Sequence, residues 1–568
     1  MLKFMCGIAG YINFNNTPVL ENWLVAMMCK LSHRGPNGGG LEVRGPVGLS
    51  HRRLSIIDLE TGQQPMFNED GQVGVVFNGE IYNYRELTAQ LQSCGHFFRT
   101  KSDTEVIVHA WEEWGKRCVE RFRGMFAFAI VDWHQKVVFL ARDPFGIKPL
   151  YYTLNNTRLA FASEIQALRV LPDCPDKLDL QALDQYLFLQ YIPAPRTIFQ
   201  DIFKLPPAHR LTIHFDGRSE GSEEYWSLEF RPQKEKPMEE WVTDLEWVLR
   251  DSVRAHLVAD VPFGAFLSGG MDSTIIVGMM SQELNQPVRT FSIGFQEEEF
   301  SEVTYAKQVS ERWHTQHHVE IVKPDALAIL PKLVQHYGEP FGDSSAIPTF
   351  YVSRLARQFV PMVLSGDGGD EAFGGYLSYQ NWLKWLFPEP PRRPLWKKML
   401  RPLVQAILPS HFTPDPGPRT PTVASWQLFI QYFAPDVRQK LWRHEYHRLV
   451  DLPIEAFQDA FYKSSNYPPI NQARYLDYKT YLPNDILTKV DIASMMHSLE
   501  VRTPLVDLRV VEFAATMPPE VILTRDVRGH WVSKRVLRQI LSRYFPNQFI
   551  NRPKMGFAVP VGKWFKPG

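Results

Sequence analysis

The stretch Val261–Ser273, VPFGAFLSGGMDS, constrains the fold of this chain more than any other. An apolar run, Phe263-Gly264-Ala265-Phe266-Leu267, reads as a short buried strand. Ser268-Gly269-Gly270-Met271-Asp272-Ser273 follows, and then a helix-compatible segment from Thr274 to Met280. Strand, glycine turn and helix start together make a device for holding an anion. Glycines let the backbone approach a ligand, and the free N–H groups of a helix N-terminus face negative charge. Ser268 and Ser273 add hydroxyl donors, and Asp272 is an acid suited to magnesium beside phosphates. The pattern is neither G-x-x-x-x-G-K-[ST] nor G-x-G-x-x-G.

The sequence around this stretch alternates strands and helices, which predicts a parallel sheet with crossovers. Val288–Phe295 and His317–Ile321 read as strands, with a helical pattern over Glu302–Trp313 between them. Val360–Leu364 is a further apolar strand. It ends in Ser365-Gly366-Asp367-Gly368-Gly369-Asp370-Glu371, preceded in the chain by Asp343-Ser344-Ser345. Ligands in such sheets sit at the carboxyl ends of strands. A solvated acidic loop is the bland alternative, and a second glycine-rich strand end in the same predicted sheet weighs against it.

At 568 residues the chain has room for two to four domains. Hydrophobic residues are 44% and charged residues 22%, ordinary values for a globular protein. Lys+Arg and Asp+Glu are 62 each, so nothing in the overall charge favours nucleic acid as partner. The five cysteines, Cys6, Cys29, Cys94, Cys118 and Cys174, show no C-x-x-C spacing, which fits a reducing cytoplasm and suggests neither disulfides nor zinc. No apolar run approaches the roughly 20 residues that span a bilayer, and MLKFMCGIAGYINF is a poor signal peptide.

Met5-Cys6-Gly7-Ile8 stands out in the first third. A cysteine at the start of a mature chain has its own α-amine available as base for its thiol; a small buried cysteine in a strand is the commoner case. Several motifs follow. Ser32-His33-Arg34-Gly35-Pro36 is a polar turn, and His51-Arg52-Arg53 places cations beside a strand. Phe77-Asn78-Gly79-Glu80 reads as a strand–turn whose amide and N–H suit an oxyanion. Ser102-Asp103-Thr104-Glu105 caps a helical pattern over Val106–Trp114. Arg142-Asp143-Pro144 precedes Lys148-Pro149-Leu150.

In this order, from Cys6 to about Leu211, these motifs resemble the class II glutamine amidotransferase domain. The Ser268–Ser273 stretch looks like the pyrophosphate loop of enzymes that split ATP into AMP and pyrophosphate. With LSGDGGDEAFGGY, Lys489-Val490-Asp491, Glu500-Val501-Arg502-Thr503-Pro504 and Arg552-Pro553-Lys554-Met555-Gly556-Phe557, it resembles the synthetase domain of the glutamine-hydrolysing asparagine synthetase family. The resemblance implies two domains of α/β and α+β class. Residues 6–215 would be an αββα N-terminal-nucleophile sandwich, and residues 237–568 a parallel-sheet ATP-pyrophosphatase domain with extra helices.

It further implies Cys6 as nucleophile on glutamine, Asn78 and Gly79 as oxyanion hole, Arg53 on the glutamine α-carboxylate, and Glu80 and Asp103 on its α-ammonium. In the second domain it implies adenine contacts from Leu267, Ile293, Ser365 and Gly366, and a pyrophosphate seat of Ser268, Gly269, Gly270, Asp272 and Ser273. Asp272 and Asp370 would hold Mg2+, Asp367 would serve formation of the acyl-adenylate, and Lys554 would stabilise charge on it. Arg502 and Asp507 are read as anchors of a helix to the sheet. Glutamine, aspartate and ATP are the implied substrates, and a homodimer is compatible with the sequence. The alternative is a paralogue that applies the same mechanism to another carboxylate.

Family members usually begin Met-Cys, so Met5 is favoured over a processed propeptide as the true start. Asn37 replaces the acid usual after H-R-G-P, a position without an assigned role. The segment 381–416 is basic and Trp-bearing, but five prolines from Pro388 to Pro402 oppose a membrane-lying helix, so a surface insertion is expected. The chain stops soon after Phe557, so part of the synthetase core is expected to lie beyond Gly568.

Overall fold

The computed structural model describes residues 6–35, 38–54, 56–233, 236–297, 301–322, 326–388, 417–527 and 529–552. Lys554, the remainder of its motif after Arg552, and residues 389–416 of the basic segment lie outside the described residues.

The first half is a sandwich of two six-stranded sheets. One sheet runs in the order Phe203–Lys204, Tyr151–Leu154, Arg158–Ala162, Gly7–Asn13, Val47–Arg53, Gly38–Arg44. The other runs Ser219–Glu224, His209–His214, Val137–Arg142, Gly124–Asp132, Val73–Ile81, Met66–Phe67. Every pairing in both is antiparallel.

The strand Gly124–Asp132, GMFAFAIVD, shows how sequence sets the layers. Side chains of a strand alternate between faces. Ala127, Ala129 and Val131 meet the facing sheet, where Ile8, Ile12 and Leu49 lie. Phe126, Phe128 and Ile130 face outward and meet Val106, Ala110 and Trp111 of the helix Asp103–Trp114. Small residues line the inter-sheet side and large ones the helix side, so the strand is apolar throughout. On the opposite flank Leu24 and Met27 of the helix Glu21–Lys30 cover Ala9 and Tyr11. The layers are therefore helix, sheet, sheet, helix. The last strand, Ser219–Glu224, pairs with His209–His214, so this sheet continues past residue 215.

The second half is built on a five-stranded sheet in the order Gln316–Val322, Arg289–Phe295, Phe263–Phe266, Met362–Leu364, Glu500–Arg502. All four pairings are parallel. Ala265, Met362 and Leu364 face one apolar layer with the helices Met238–His256 and Met271–Glu283. Phe291, Ile293, Phe295 and Val363 face the other, with the helix Ala346–Arg357. Loops at the carboxyl ends of the Phe263 and Met362 strands begin at Leu267 and Ser365, where ligands of such sheets sit.

The two halves share a continuous interior. Leu54, Ile56, Met125, Phe145 and Phe188 of the first pack in one cluster with Leu245, Val506 and Tyr478 of the second. Buried charges tie its edges. Arg34 spans Glu164 at 2.9 Å and Asp491 at 2.8 Å, and Lys148 reaches the same Asp491 at 3.2 Å. Arg123 meets Asp507 at 2.9 Å and Asp251 at 2.8 Å. Asp507 also caps the helix Leu508–Ala515 by accepting from Arg509 N. It is thus a helix anchor, as expected, and a domain tie as well.

Removing one partner of a buried pair leaves the other charge desolvated and alone, at a cost of about 3–5 kcal/mol. Arg34→Met strips Asp491 and Glu164 of their shared partner at once. It is expected to lower the midpoint of thermal unfolding by several degrees, measured by calorimetry against the exposed control Arg117→Met.

Candidate active sites

Cys6 lies just before the strand Gly7–Asn13 and packs, partly buried, against the cluster shared by the two halves. Its Sγ donates to Leu54 O at 3.6 Å. Burial pushes the thiol up to about 12; the Leu54 carbonyl lowers it somewhat and the nearby Glu80 carboxylate raises it. A thiol held so high is not a standing thiolate, so any nucleophilic role for it requires a base.

The strand Val73–Ile81 packs against the Gly7 strand and carries the next groups. The Asn-Gly pair is inside this strand, with Asn78 opposite Ala127 and Gly79 opposite Phe126. The expected strand–turn is therefore a strand interior. Continuous pairing with the strand Gly124–Asp132 outweighs the local turn preference of Asn-Gly. Gly79 adopts φ +150, and a Cβ there would meet Met125 O at 2.0 Å, so only glycine fits. The Asn78 side chain is fully buried, and neither its Nδ2 nor its Oδ1 has a hydrogen-bond partner among the described residues. A buried amide is costly to leave unsatisfied unless a ligand completes it.

Arg53 ends the strand Val47–Arg53 and is bent back onto the carbonyls of Asp58 and Leu59. Burial lowers the Arg53 guanidinium below its ordinary pKa, and the carboxylates of Asp58 and Asp103 oppose that shift. Asp103, at the start of its helix, accepts from Ile81 N at 2.9 Å, and burial lifts its carboxyl to about 6. Ser102 caps the helix by accepting from Thr104 N, but Glu105 turns away to the N–H groups of Arg99 and Thr100, so the reciprocal capping box does not form. Glu80 is committed differently: its Oε1 faces Arg502 of the second half at 3.2 Å. Burial keeps the Glu80 carboxyl well above its ordinary range despite that cation. Arg502 is fully buried and also holds Glu500 at 2.5 Å. It is more than a helix anchor, because it joins the two halves at the first site.

The second site is a cavity of about 490 Å³ at the carboxyl ends of the parallel strands. The structure gathers there all the sequence-predicted groups of the second domain among the described residues: Leu267–Gly270, Asp272, Ser273, Ile293, Ser365, Gly366, Asp367 and Asp370. Gly269 has φ +75, and a Cβ there would strike Tyr305 of the next helix at 2.6 Å. Ser268 Oγ and Ser273 Oγ lie 3.0 Å apart across the loop, and Ser268 Oγ accepts from Gly270 N at 3.1 Å. Asp367 takes the Ser365 hydroxyl at 2.7 Å, and burial raises its carboxyl. Arg552 donates to Gly269 O at 2.6 Å and stacks on Tyr305, which brings the start of the Arg552–Phe557 motif onto this loop.

Sequence reasoning missed Lys534. Its ammonium bridges Asp272 and, at 2.7 Å, Asp370. Burial opposes the charge, but the two carboxylates outweigh it and hold the lysine above its ordinary pKa. Ser533-Lys534-Arg535 opens a short helix with no motif spacing; the one local sign is the left-handed backbone of Lys534, φ +52. Two hard oxygen donors on glycine-rich turns, converging on one cationic point, also fit a divalent cation. Glu371 was likewise unassigned. It accepts from Tyr376 OH at 2.8 Å, and burial brings it up to about 7.

A model of the asparagine synthase family matches residues 244–568, and a glutamine amidotransferase domain matches residues 5–226. The chain belongs to the asparagine synthase family. A Bacillus subtilis protein named asparagine synthetase [glutamine-hydrolyzing] 1 is 36% identical over 99% of this chain and 88% of its own length. A Mycobacterium tuberculosis putative asparagine synthetase is 34% identical over 95% and 84%. A Gibberella zeae relative named amidase chry2 is 26% identical over 99% and 90%.

Gly375 shows how tightly the second site is built. A Cβ there would lie 1.8 Å from Asp370 Oδ1 and 2.2 Å from Lys534 Cε. Gly375→Ala is expected to displace both, so that adding ATP shifts the thermal midpoint of the variant by less than it shifts that of the parent. The first site lies in the other half, so glutamine hydrolysis by the variant should match the parent.

Proposed function

We propose that this chain is a glutamine-dependent asparagine synthetase. The observation that carries the reading is likeness to a glutamine-hydrolysing asparagine synthetase over 99% of this chain, with Cys6 at the first site and the Asp272–Lys534–Asp370 cluster at the second. At the first site Cys6 attacks the side-chain amide of glutamine. Its α-amine, when Cys6 is the first residue, takes the thiol proton that burial otherwise retains. Asn78, whose amide has no partner among the described residues, and the Gly79 N–H receive the oxyanion. Arg53 takes the α-carboxylate of glutamine, and Asp103 and Glu80 its α-ammonium. Ammonia leaves, and water releases glutamate from the thioester.

At the second site ATP lies with its base against Leu267, Ile293, Ser365 and Gly366. Its phosphates rest on Ser268, Gly269, Gly270, Asp272 and Ser273. Asp272 and Asp370 would hold magnesium, which supplies neutralising charge to the phosphates when bound. The β-carboxylate of aspartate attacks the α-phosphorus, pyrophosphate leaves, and an acyl-adenylate forms. Asp367 serves that step, and Lys534 offers the ammonium that offsets charge on the leaving group. We assign the same charge-offsetting task on the adenylate to Lys554. Ammonia then attacks the acyl carbon, giving asparagine and AMP.

The test supplies glutamine, ATP and magnesium with aspartate. Asparagine, AMP, pyrophosphate and glutamate should appear in equal amounts. Pyrophosphate formed only with another carboxylate would overturn the acceptor. Cys6→Ala is expected to abolish glutamine-dependent synthesis while synthesis from ammonium salts continues, and the intact mass of active protein should begin at Cys6.

The Asp103 carboxyl, held up to about 6, makes a second test. Ionised Asp103 attracts the glutamine ammonium and protonated Asp103 does not. Below about pH 6, kcat/KM for glutamine hydrolysis should fall by about tenfold per unit. Asp103→Asn should be low and lose that inflection.

A further inference from the structure

The cavity of the second site has a third region, apart from its phosphate loop and its apolar wall. Asp343, Ser345, Tyr481, Ile486 and Lys489 line it. We propose that Lys489 and Asp343 form a subsite for an amino-acid zwitterion, Lys489 taking the α-carboxylate and Asp343 the α-ammonium of the molecule activated there. This rests on the aspartate reading above and names the residues that would select it.

The pair lies on the cavity wall, with Lys489 Nζ 2.8 Å from Asp343 Oδ2 and both side chains largely buried. A buried pair of this kind adds little net stability over an apolar one, because desolvation offsets the attraction. Its position on a ligand cavity gives it another use. A zwitterion brings one anion and one cation, so it can turn one ion pair into a closed four-charge array without stranding either residue.

The other basic groups of the wall are engaged elsewhere. Lys534 sits between Asp272 and Asp370, Arg538 donates to the carbonyls of Ser533 and Ile550, and Arg552 donates to Gly269 O.

The two residues are also held in place. Asp343 accepts from Ser345 N at 2.8 Å and from Ser345 Oγ at 2.7 Å, which fixes the carboxylate plane. Lys489 stands three residues after a π-helical turn, Leu482–Ile486, and Tyr337 OH grips its carbonyl at 3.3 Å. Such turns interrupt helices most often at functional sites. This one brings in Asp485, a buried carboxyl that is hydrogen-bonded to Asp343 and whose Oδ1 has no hydrogen-bond partner among the described residues.

Asp343, Asp485 and Asp367 face Lys489; burial opposes its charge, and Asp343 above all outweighs that and holds the ammonium above its ordinary pKa, while burial and Asp343 keep the Asp485 carboxyl well above the usual range. Asp367 lines the same cavity and accepts from Ser365 Oγ at 2.7 Å, beside the Ser365–Glu371 loop.

The experiment measures pyrophosphate release by the full chain with ammonium chloride, ATP and magnesium, varying aspartate. For Lys489→Met the KM for aspartate should rise roughly 100-fold, with the KM for ATP within twofold and glutamine hydrolysis unchanged. Lys489→Arg should recover most of the loss. The exchange Lys489→Asp with Asp343→Lys keeps an ion pair at the wall. A purely structural pair predicts near-normal aspartate KM for it, and a zwitterion subsite predicts a loss as large as that of Lys489→Met.

Aspartate KM within threefold of the parent in Lys489→Met, or in the exchange variant, overturns the subsite. Absence of aspartate-dependent pyrophosphate from the parent enzyme instead overturns the aspartate reading itself, so the two failures are told apart.

Discussion

The structure depends on one guanidinium. Arg502 closes the last strand of the parallel sheet, and its side chain is wholly buried. It donates to the carbonyls of His256 and Val258 at 2.9 and 2.8 Å and pairs with Glu500 and with Glu80 of the other half. Its own carbonyl accepts from Ser365 N at 2.9 Å, at the root of the Ser365–Glu371 loop. A single residue therefore touches the strand that carries Asn78 and Gly79 and the loop that carries Asp367 and Asp370. Arginine is suited to this place: it stays charged when desolvated, and its planar fork serves several acceptors at once.

The second site uses the same economy with smaller parts. Asp272 and Asp370 come from different turns, and bringing them together would be repulsive without a cation. Lys534 supplies it, and glycine at 375 clears the space for its stem. Gly366 is pressed as closely, since a Cβ there would lie 2.7 Å from Ser273 N. The two glycine-rich turns are thus packed against each other as well as against a ligand. That explains why both end in an acid beside a serine or glycine.

What was legible in the sequence follows from what is local. The strand–turn–helix at Phe263–Glu283 and its parallel neighbours could be read directly, because buried parallel strands are continuous apolar runs and their turns need glycine. The cap at Ser102 was legible for the same reason. The Asn78-Gly79 turn was misread because sheet pairing, invisible in the sequence, outweighed turn preference. Lys534 and Lys489 were hidden by type: a lysine has no local geometry of its own, and its partners Asp272 and Asp343 lie 262 and 146 residues away. The Glu80–Arg502 pair was hidden in the same way, since both ends belong to readable motifs but nothing in either motif names the other.

The buried ties also bear on how two reactions share a product. Ammonia is a nucleophile only when neutral, and bulk water near neutral pH would protonate most of it. Cys6 packs directly against an apolar cluster that continues into the second half through Leu54, Met125 and Val506. Arg34, Lys148, Arg123 and Arg502 are each neutralised by a carboxylate at the border of that cluster. Charges paired in this way hold the halves in one orientation. An interface held only by apolar contacts would allow sliding and admit water; one held only by exposed ion pairs would be weak. The combination of an apolar centre and a paired polar border fixes the two halves, and the two candidate sites they carry, in one relation to each other.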